Sequence, residues 1–208
     1  MVLAIPAPIE TVTQVDLRQL RHHTKNALAR ILAQISSGLG VGDAQRRVAA
    51  DLERRILLTA NISDALFGLT RDPGPFDQRL QALCLGVIDL IGEPDQYVTL
   101  YCEVDGDVPL LHRETVLRIA HEFVGNAVKH GMHMRLIGRI STVVHTDAQA
   151  TTLEVSDDGW GCGRLFALGE GLRVAAVLAE SLDGRVSLER CQERTVARLV
   201  LPAAVHVA

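Results

Sequence analysis

Several features that would assign a chain at a glance are missing from this one. It carries no tract of lysine and arginine, and a formal charge of −4 with a pI near 6.0 leaves no positive field for a phosphate backbone, which argues against a nucleic-acid partner. Its four cysteines, Cys84, Cys102, Cys162 and Cys191, stand far apart with no Cys-x-x-Cys pair. That spacing excludes a compact zinc motif and a dense disulfide framework, and it fits a reducing compartment. No apolar run approaches the roughly eighteen residues of a membrane span, and the opening "MVLAIPAPIETVTQ" lacks the basic segment of a secretory leader. The expectation is a cytoplasmic protein with no membrane span. Internal repeats and low-complexity tracts are absent as well.

What is present is enough apolar material for a real core. With 208 residues and 48% hydrophobic content the chain can hold one ordinary domain and a smaller appendage. From Thr11 to about Ser37 the residues Leu17, Leu20, Ala27, Leu28, Ile31 and Ile35 recur at steps of three and four, which predicts a helix with one buried stripe. Gly38, Gly40 and Gly42 interrupt it, and Asp43 is placed to cap a second helix whose stripe runs through Val48, Leu52, Ile56 and Ile62. The two helices predict an antiparallel hairpin. Each has one apolar face and too little partner surface, so pairing with a second copy, a homodimeric four-helix bundle, completes the burial.

The break "RDPGP" at 71–75 stops the second helix and divides the chain into residues 1–72 and 73–208. Beyond it the periodicity mixes: helices over "FDQRLQALCLGVIDLIG", "RETVLRIAHEFVGNAVKHG" and "GLRVAAVLAESLDG", strands over "YVTLYCEV", "RLIGRISTVVHT", "ATTLEVSDD", "RVSLERC" and "TVARLVLP". Helices interspersed with mainly hairpin-connected strands predict an α/β sandwich, one sheet backed by helices on one face. The fold class expected for the whole chain is therefore α+β.

Four stretches carry chemistry-bearing residues. In "LRHHTKNALARI" a turn of about 100° per residue points His22 away from the apolar stripe and leaves His23 on its flank, with Asn26 on the same outward face as His22. An exposed imidazole is a competent nucleophile near neutral pH. In "RIAHEFVGNAVKHGM" the apolar Val116, Ile119, Ala120, Phe123, Val124 and Ala127 share one face while Glu122, Asn126, Lys129 and His133 line another. "VSDDGWGCG" ends a strand in Asp157, followed by Gly159 and Gly161, a pattern that fits either a plain turn or a carboxylate aimed at a planar ligand. "LGEGLRVAAVLAE" places Gly169 and Gly171 before a helix, where free N–H groups suit phosphates.

Together and in this order, "HHTKNAL", "HEFVGNAVKHG", "DDGWG" and "GEGL" resemble the two-component sensor histidine kinases and their Bergerat-type ATP-binding domain, over residues 15–202. The resemblance matches His22 to the phosphorylated histidine of the subgroup with a His-Arg-x-x-Asn box, with His23 at the arginine position. It matches Glu122 and Asn126 to the N box, implying a catalytic role for Glu122, Mg²⁺ coordination by Asn126, and Lys129 and His130 near the phosphates. Asp157 matches the acid that recognises the adenine amino group, Gly159 and Gly161 the first glycine box, Gly169 and Gly171 the second. The His121–Glu122 pair is similar to the HWE kinases. The family implies ATP and Mg²⁺ as cofactors, and as partner the receiver domain of a response regulator, whose aspartate takes the phosphoryl group.

Two departures from the family pattern stand out. Only seven residues separate Gly161 from Gly169, a short lid over a triphosphate, and the residue after His22 is histidine where many such kinases carry an acid. They keep open a histidine phosphotransferase built on a degenerate kinase fold, relaying phosphate between regulators through His22. A non-enzymatic dimeric docking protein is the third reading.

Overall fold

The computed structural model describes residues 43–67, 74–93, 95–159, 170–191 and 194–203. The first helix of the expected hairpin, with His22, lies outside the described residues, as do Gly161 and Gly169. The chain falls into two compact units, residues 1–60 and 61–208. Helix α1, Asp43–Phe67, forms where the second helix is predicted, and it supplies all that is described of the first unit. Arg55 pairs with Asp51 one turn earlier at 2.9 Å, and Leu52 and Leu57 stand 40% and 52% exposed along it.

The second unit runs α2 (Phe76–Ile91), β1 (Tyr97–Asp105), α3 (Leu110–Asn126) with a π-helical turn (Ala127–Gly131), β2 (Ile137–Thr146), β3 (Ala150–Asp157), α4 (Glu170–Glu180), β4 (Arg185–Cys191) and β5 (Arg194–Pro202). The five strands lie in the order β1-β2-β3-β5-β4, with β1 parallel to β2 and every other pairing antiparallel. A parallel pair cannot close through a tight turn, and α3 makes the crossover from β1 to β2. The β2–β3 turn is fixed by Asp147, whose Oδ1 accepts the N–H groups of Gln149 and Ala150 at 2.8 and 2.9 Å.

Alternation decides which sheet face is buried. Leu153 and Val155 on β3, and Ala197, Leu199 and Leu201 on β5, point inward with Ile140 and Val144 of β2. Helices α2, α3 and α4 cover that face with Leu80, Leu83 and Val87, with Val116, Ile119, Ala120 and Phe123, and with Leu172, Ala175 and Ala179. The recurrence at three and four residues is the signature of one apolar stripe per helix, and the result is one sheet backed by helices on one face, a mixed α and β architecture. No helix among the described residues is long and apolar enough to cross a membrane.

Helix α3 begins at Leu110, three residues before the predicted Arg113, with Pro109 at its N-cap, whose carbonyl accepts the N–H groups of His112 and Arg113 at 2.8 and 3.2 Å. Arg113 then anchors the incoming loop through Val108 O at 2.8 Å and Asp107 at 3.1 Å.

Candidate functional site

At the C-terminal end of α3 the helix widens. Met132 N–H bonds to Ala127 O at 3.0 Å, an i→i+5 bond, and residues 127–131 form the π-helical turn. Such turns are rare and occur frequently at functional sites. The widening changes the row expected from helical periodicity. Glu122 and Asn126 stay on α3, half-buried, while Lys129 and His130 are exposed in the wide turn and His133 lies past its end.

The turn finishes on Gly131 because nothing larger fits. A Cβ there would collide with the carboxylate of Asp157, and a Cβ on Gly159 would collide with the carbonyl of Gly131. The end of α3 and the end of β3 thus meet backbone to carboxylate. Asp157 is 5% exposed, and its Oδ1 accepts the N–H of Gly159 at 2.9 Å. Burial pushes its carboxyl above the ordinary value, while the Gly159 hydrogen bond and the Arg135 charge oppose the rise. Arg135 holds the next residue in place: its guanidinium donates to the carbonyl of Asp158, whose Oδ1 accepts the Arg139 N–H at 2.8 Å.

Alternation along β3 and β5 points Asp157 and Thr195 inward, and the register sets them directly opposite each other. Thr195 is 7% exposed, and its Oγ1 has no hydrogen-bond partner among the described residues. A buried hydroxyl without a partner is costly and uncommon. Both side chains line a narrow concavity whose walls are otherwise apolar, among them Phe123, Val155 and Leu172, with Asn126 and His130 also on its lining. A carboxylate oxygen that can only accept, beside a hydroxyl that can donate or accept, complements the amino group and ring nitrogen of an aminopurine edge. The polar groups present therefore match an adenine edge, and the concavity, about 20 Å³ as it stands, has to widen to admit the ring.

Glu122 joins this site from the other side. Its carboxyl is held below the usual range, chiefly by the hydrogen bond that His121 Nδ1 donates to Oε1 at 3.2 Å, with burial opposing and the charges of His121 and Lys129 assisting. Gly171, in the first turn of α4, sits against that carboxylate so closely that a Cβ would strike Oε2. The predicted N box and the second glycine box are thereby brought together. For Mg²⁺ the offer is a side-chain amide oxygen of Asn126 one turn from the Glu122 carboxylate, a set that suits an ion sharing its shell with phosphates and water.

Of the residues singled out from the sequence, the structure gathers Asn126, His130 and Asp157 on one concavity, with Gly159 packed against Gly131 of its lining. Glu122 and Gly171 meet beside it. Thr195, Gly131 and Arg135 were not singled out as site residues. The odd polar residue at an inward position of "TVARLVLP" was the available signal for Thr195, but its partner depends on strand pairing that a sequence does not display.

No family model matches the chain, and no curated protein matches it in sequence. Among solved structures it is similar to the histidine kinase domain of the Erythrobacter litoralis EL346 blue-light activated histidine kinase, with a TM-score of 0.57 and 17% identity over 91% of this chain and 94% of that one. A longer structure of the Erythrobacter litoralis EL346 blue-light activated histidine kinase gives a TM-score of 0.58 and 18% identity over 97% of this chain, which spans only 62% of that kinase. At such identities the likeness concerns architecture, and what it shows is that this chain has the fold of a histidine kinase domain.

Proposed function

We propose that the chain is a histidine kinase of a two-component system, near the HWE subgroup, that phosphorylates His22 from ATP. The observation that carries the reading is the buried Asp157 carboxylate facing the unpartnered Thr195 hydroxyl across an apolar concavity. Adenine occupies that concavity with its amino group on Asp157 and a ring nitrogen on Thr195. The triphosphate extends toward Asn126, Lys129 and His130, with Gly159, Gly161, Gly169 and Gly171 giving backbone access. Asn126, beside Glu122, would hold Mg²⁺, which when bound would offset the charge of the phosphates.

In the transfer, the unprotonated ring nitrogen of His22 forms a bond to the γ-phosphorus as the bond to the bridging oxygen breaks and ADP leaves. The proton on the other ring nitrogen is then shed. Glu122, kept ionised at neutral pH by its His121 hydrogen bond, is the carboxylate available to take it. The phosphoryl group passes on to an aspartate of a response regulator receiver domain. The exposed Leu52, on the apolar stripe expected for α1, supports burial against a second copy of the helical segment, and hence a homodimer with residues 1–72 as its phosphotransfer part and 73–208 as its nucleotide-binding part.

Incubation with [γ-³²P]ATP tests this: wild type acquires acid-labile label, and His22→Ala and Asn126→Ala do not. The seven residues between Gly161 and Gly169 favour one second reading, a phosphotransferase that does not consume ATP. Unlabelled wild type that accepts label from a phosphorylated regulator would establish that reading against the kinase.

A further inference from the structure

The face of the sheet turned away from the helices carries a second concavity, of about 580 Å³, within the range of small-molecule sites. Its floor is two small residues in register, Ser141 on β2 and Ser156 on β3, and Tyr101 of β1 lines it beside them. One row toward the β3 terminus stand Arg139, Asp158 and Arg194. Asp158 N–H bonds to Arg139 O at 3.2 Å, and the Asp157–Thr195 pairing sets Arg194 beside Asp158 on the other side. The two arginines thus flank β3 about 10 Å apart, two strand spacings, and both are exposed on the outer face.

Three carboxylates, Glu154, Asp157 and Asp158, share the lining with the two arginines, but each is engaged elsewhere: Asp157 is buried and accepts the Gly159 N–H. Asp158 is engaged by Arg135 through its carbonyl and by the Arg139 N–H through its carboxylate. Glu154, also on the lining, is taken by Arg198 through Nε at 3.2 Å and a terminal nitrogen at 2.8 Å. Among the described residues no carboxylate pairs with the Arg139 or Arg194 guanidinium, and no group bonds the Ser141 or Ser156 hydroxyl. Two free guanidinium groups, each a planar fork matched to an oxyanion, over a floor of free hydroxyls make a cationic pocket on a chain whose net charge is −4.

We infer that the outer face of the sheet is a binding site for a small polyanion, whose phosphoryl or carboxylate oxygens bridge Arg139 and Arg194 and accept hydrogen bonds from Ser141 and Ser156. Asp157 lines both concavities at the end of β3, but the residues that would hold the anion, Arg139, Ser141, Ser156 and Arg194, line only this one. Its occupant is of ligand size, since the floor is sunk between side chains of neighbouring strands and the volume holds a molecule with several anionic groups.

The test is titration of the isotopically labelled full chain with inorganic pyrophosphate and, in a parallel arm, with citrate, following backbone amide shifts. The expected result is saturable movement of the Arg139, Ser141, Ser156 and Arg194 amides, with the tighter arm assigning phosphoryl or carboxylate chemistry. Arg139→Gln and Arg194→Gln each weaken that binding about tenfold or more with an unchanged melting temperature. Shifts confined to residues 126–131, shifts that both variants leave intact, or no movement in either arm overturns the inference.

Discussion

Replacing Thr195 by valine separates a binding role from a structural one, because the two effects have opposite signs. The side chain is 7% exposed, its shape is nearly that of valine, and valine is at least as well suited to a strand. Its Oγ1 is buried without a partner among the described residues, so in the free protein the hydroxyl contributes chiefly its desolvation cost, about 1–3 kcal/mol. Thr195→Val removes that cost. The free protein is therefore expected to melt higher, by roughly 2–4 °C per kcal/mol recovered for a domain of this size. With adenine in place the hydroxyl has a partner, and the variant forfeits one neutral hydrogen bond of about 0.5–1.5 kcal/mol. Adenine nucleotide affinity is expected to fall about two- to tenfold. Calorimetric melting without ligand and titration with ADP give the two numbers on one pair of proteins. A variant that melts lower, or that binds ADP as tightly as wild type, refutes the assignment of Thr195 to the base.

Gly131→Ala drives a methyl group into the Asp157 carboxylate, and it is expected to lower stability by about 1–3 kcal/mol and to abolish ADP binding, read by denaturant unfolding and titration. Arg135→Ala frees the carbonyl of Asp158 and loosens the strand end that carries Asp157, so ADP affinity is expected to fall severalfold with little change in melting temperature; unaltered affinity would remove Arg135 from the site. His112 is 2% exposed, with Nδ1 3.0 Å from Thr151 Oγ1, and burial pushes its imidazole below the ordinary 6.5. Since the unfolded chain then binds the proton more readily, the stability due to this group is fully present above about pH 6.5 and is lost as pH falls toward the depressed value. His112→Gln is expected to flatten that acid limb, and an equally steep limb in the variant assigns the loss to other groups.

The strands were legible because alternation survives in them almost without exception: "RVSLERC" coincides with β4, and the prediction for β5 misses only Arg194. The three helices of the second unit were legible from their stripes. The predicted α3 was carried unbroken to Gly131, since a π-helical turn has no compositional mark and only the bond from Met132 to Ala127 discloses it. Asp157 could be singled out as an acid followed by glycines at the end of a strand, and Asn126 as an amide in the polar row of a helix, both local patterns. Gly131 and Thr195 could not, since what gives each its role is a neighbour brought from a distant part of the chain, 26 residues away for Gly131 and 38 for Thr195.

The wide turn at the end of α3 also makes the chain sensitive to its length. An ordinary helix would hold the same stretch with one residue fewer and better hydrogen-bond geometry, so a single-codon deletion within 127–131 is expected to restore regular bonding. The same deletion would draw Gly131 out of register with Asp157. In this chain the surplus residue thus serves the carboxylate's setting at the expense of helix regularity, and a chain of this architecture without it would hold that acid differently.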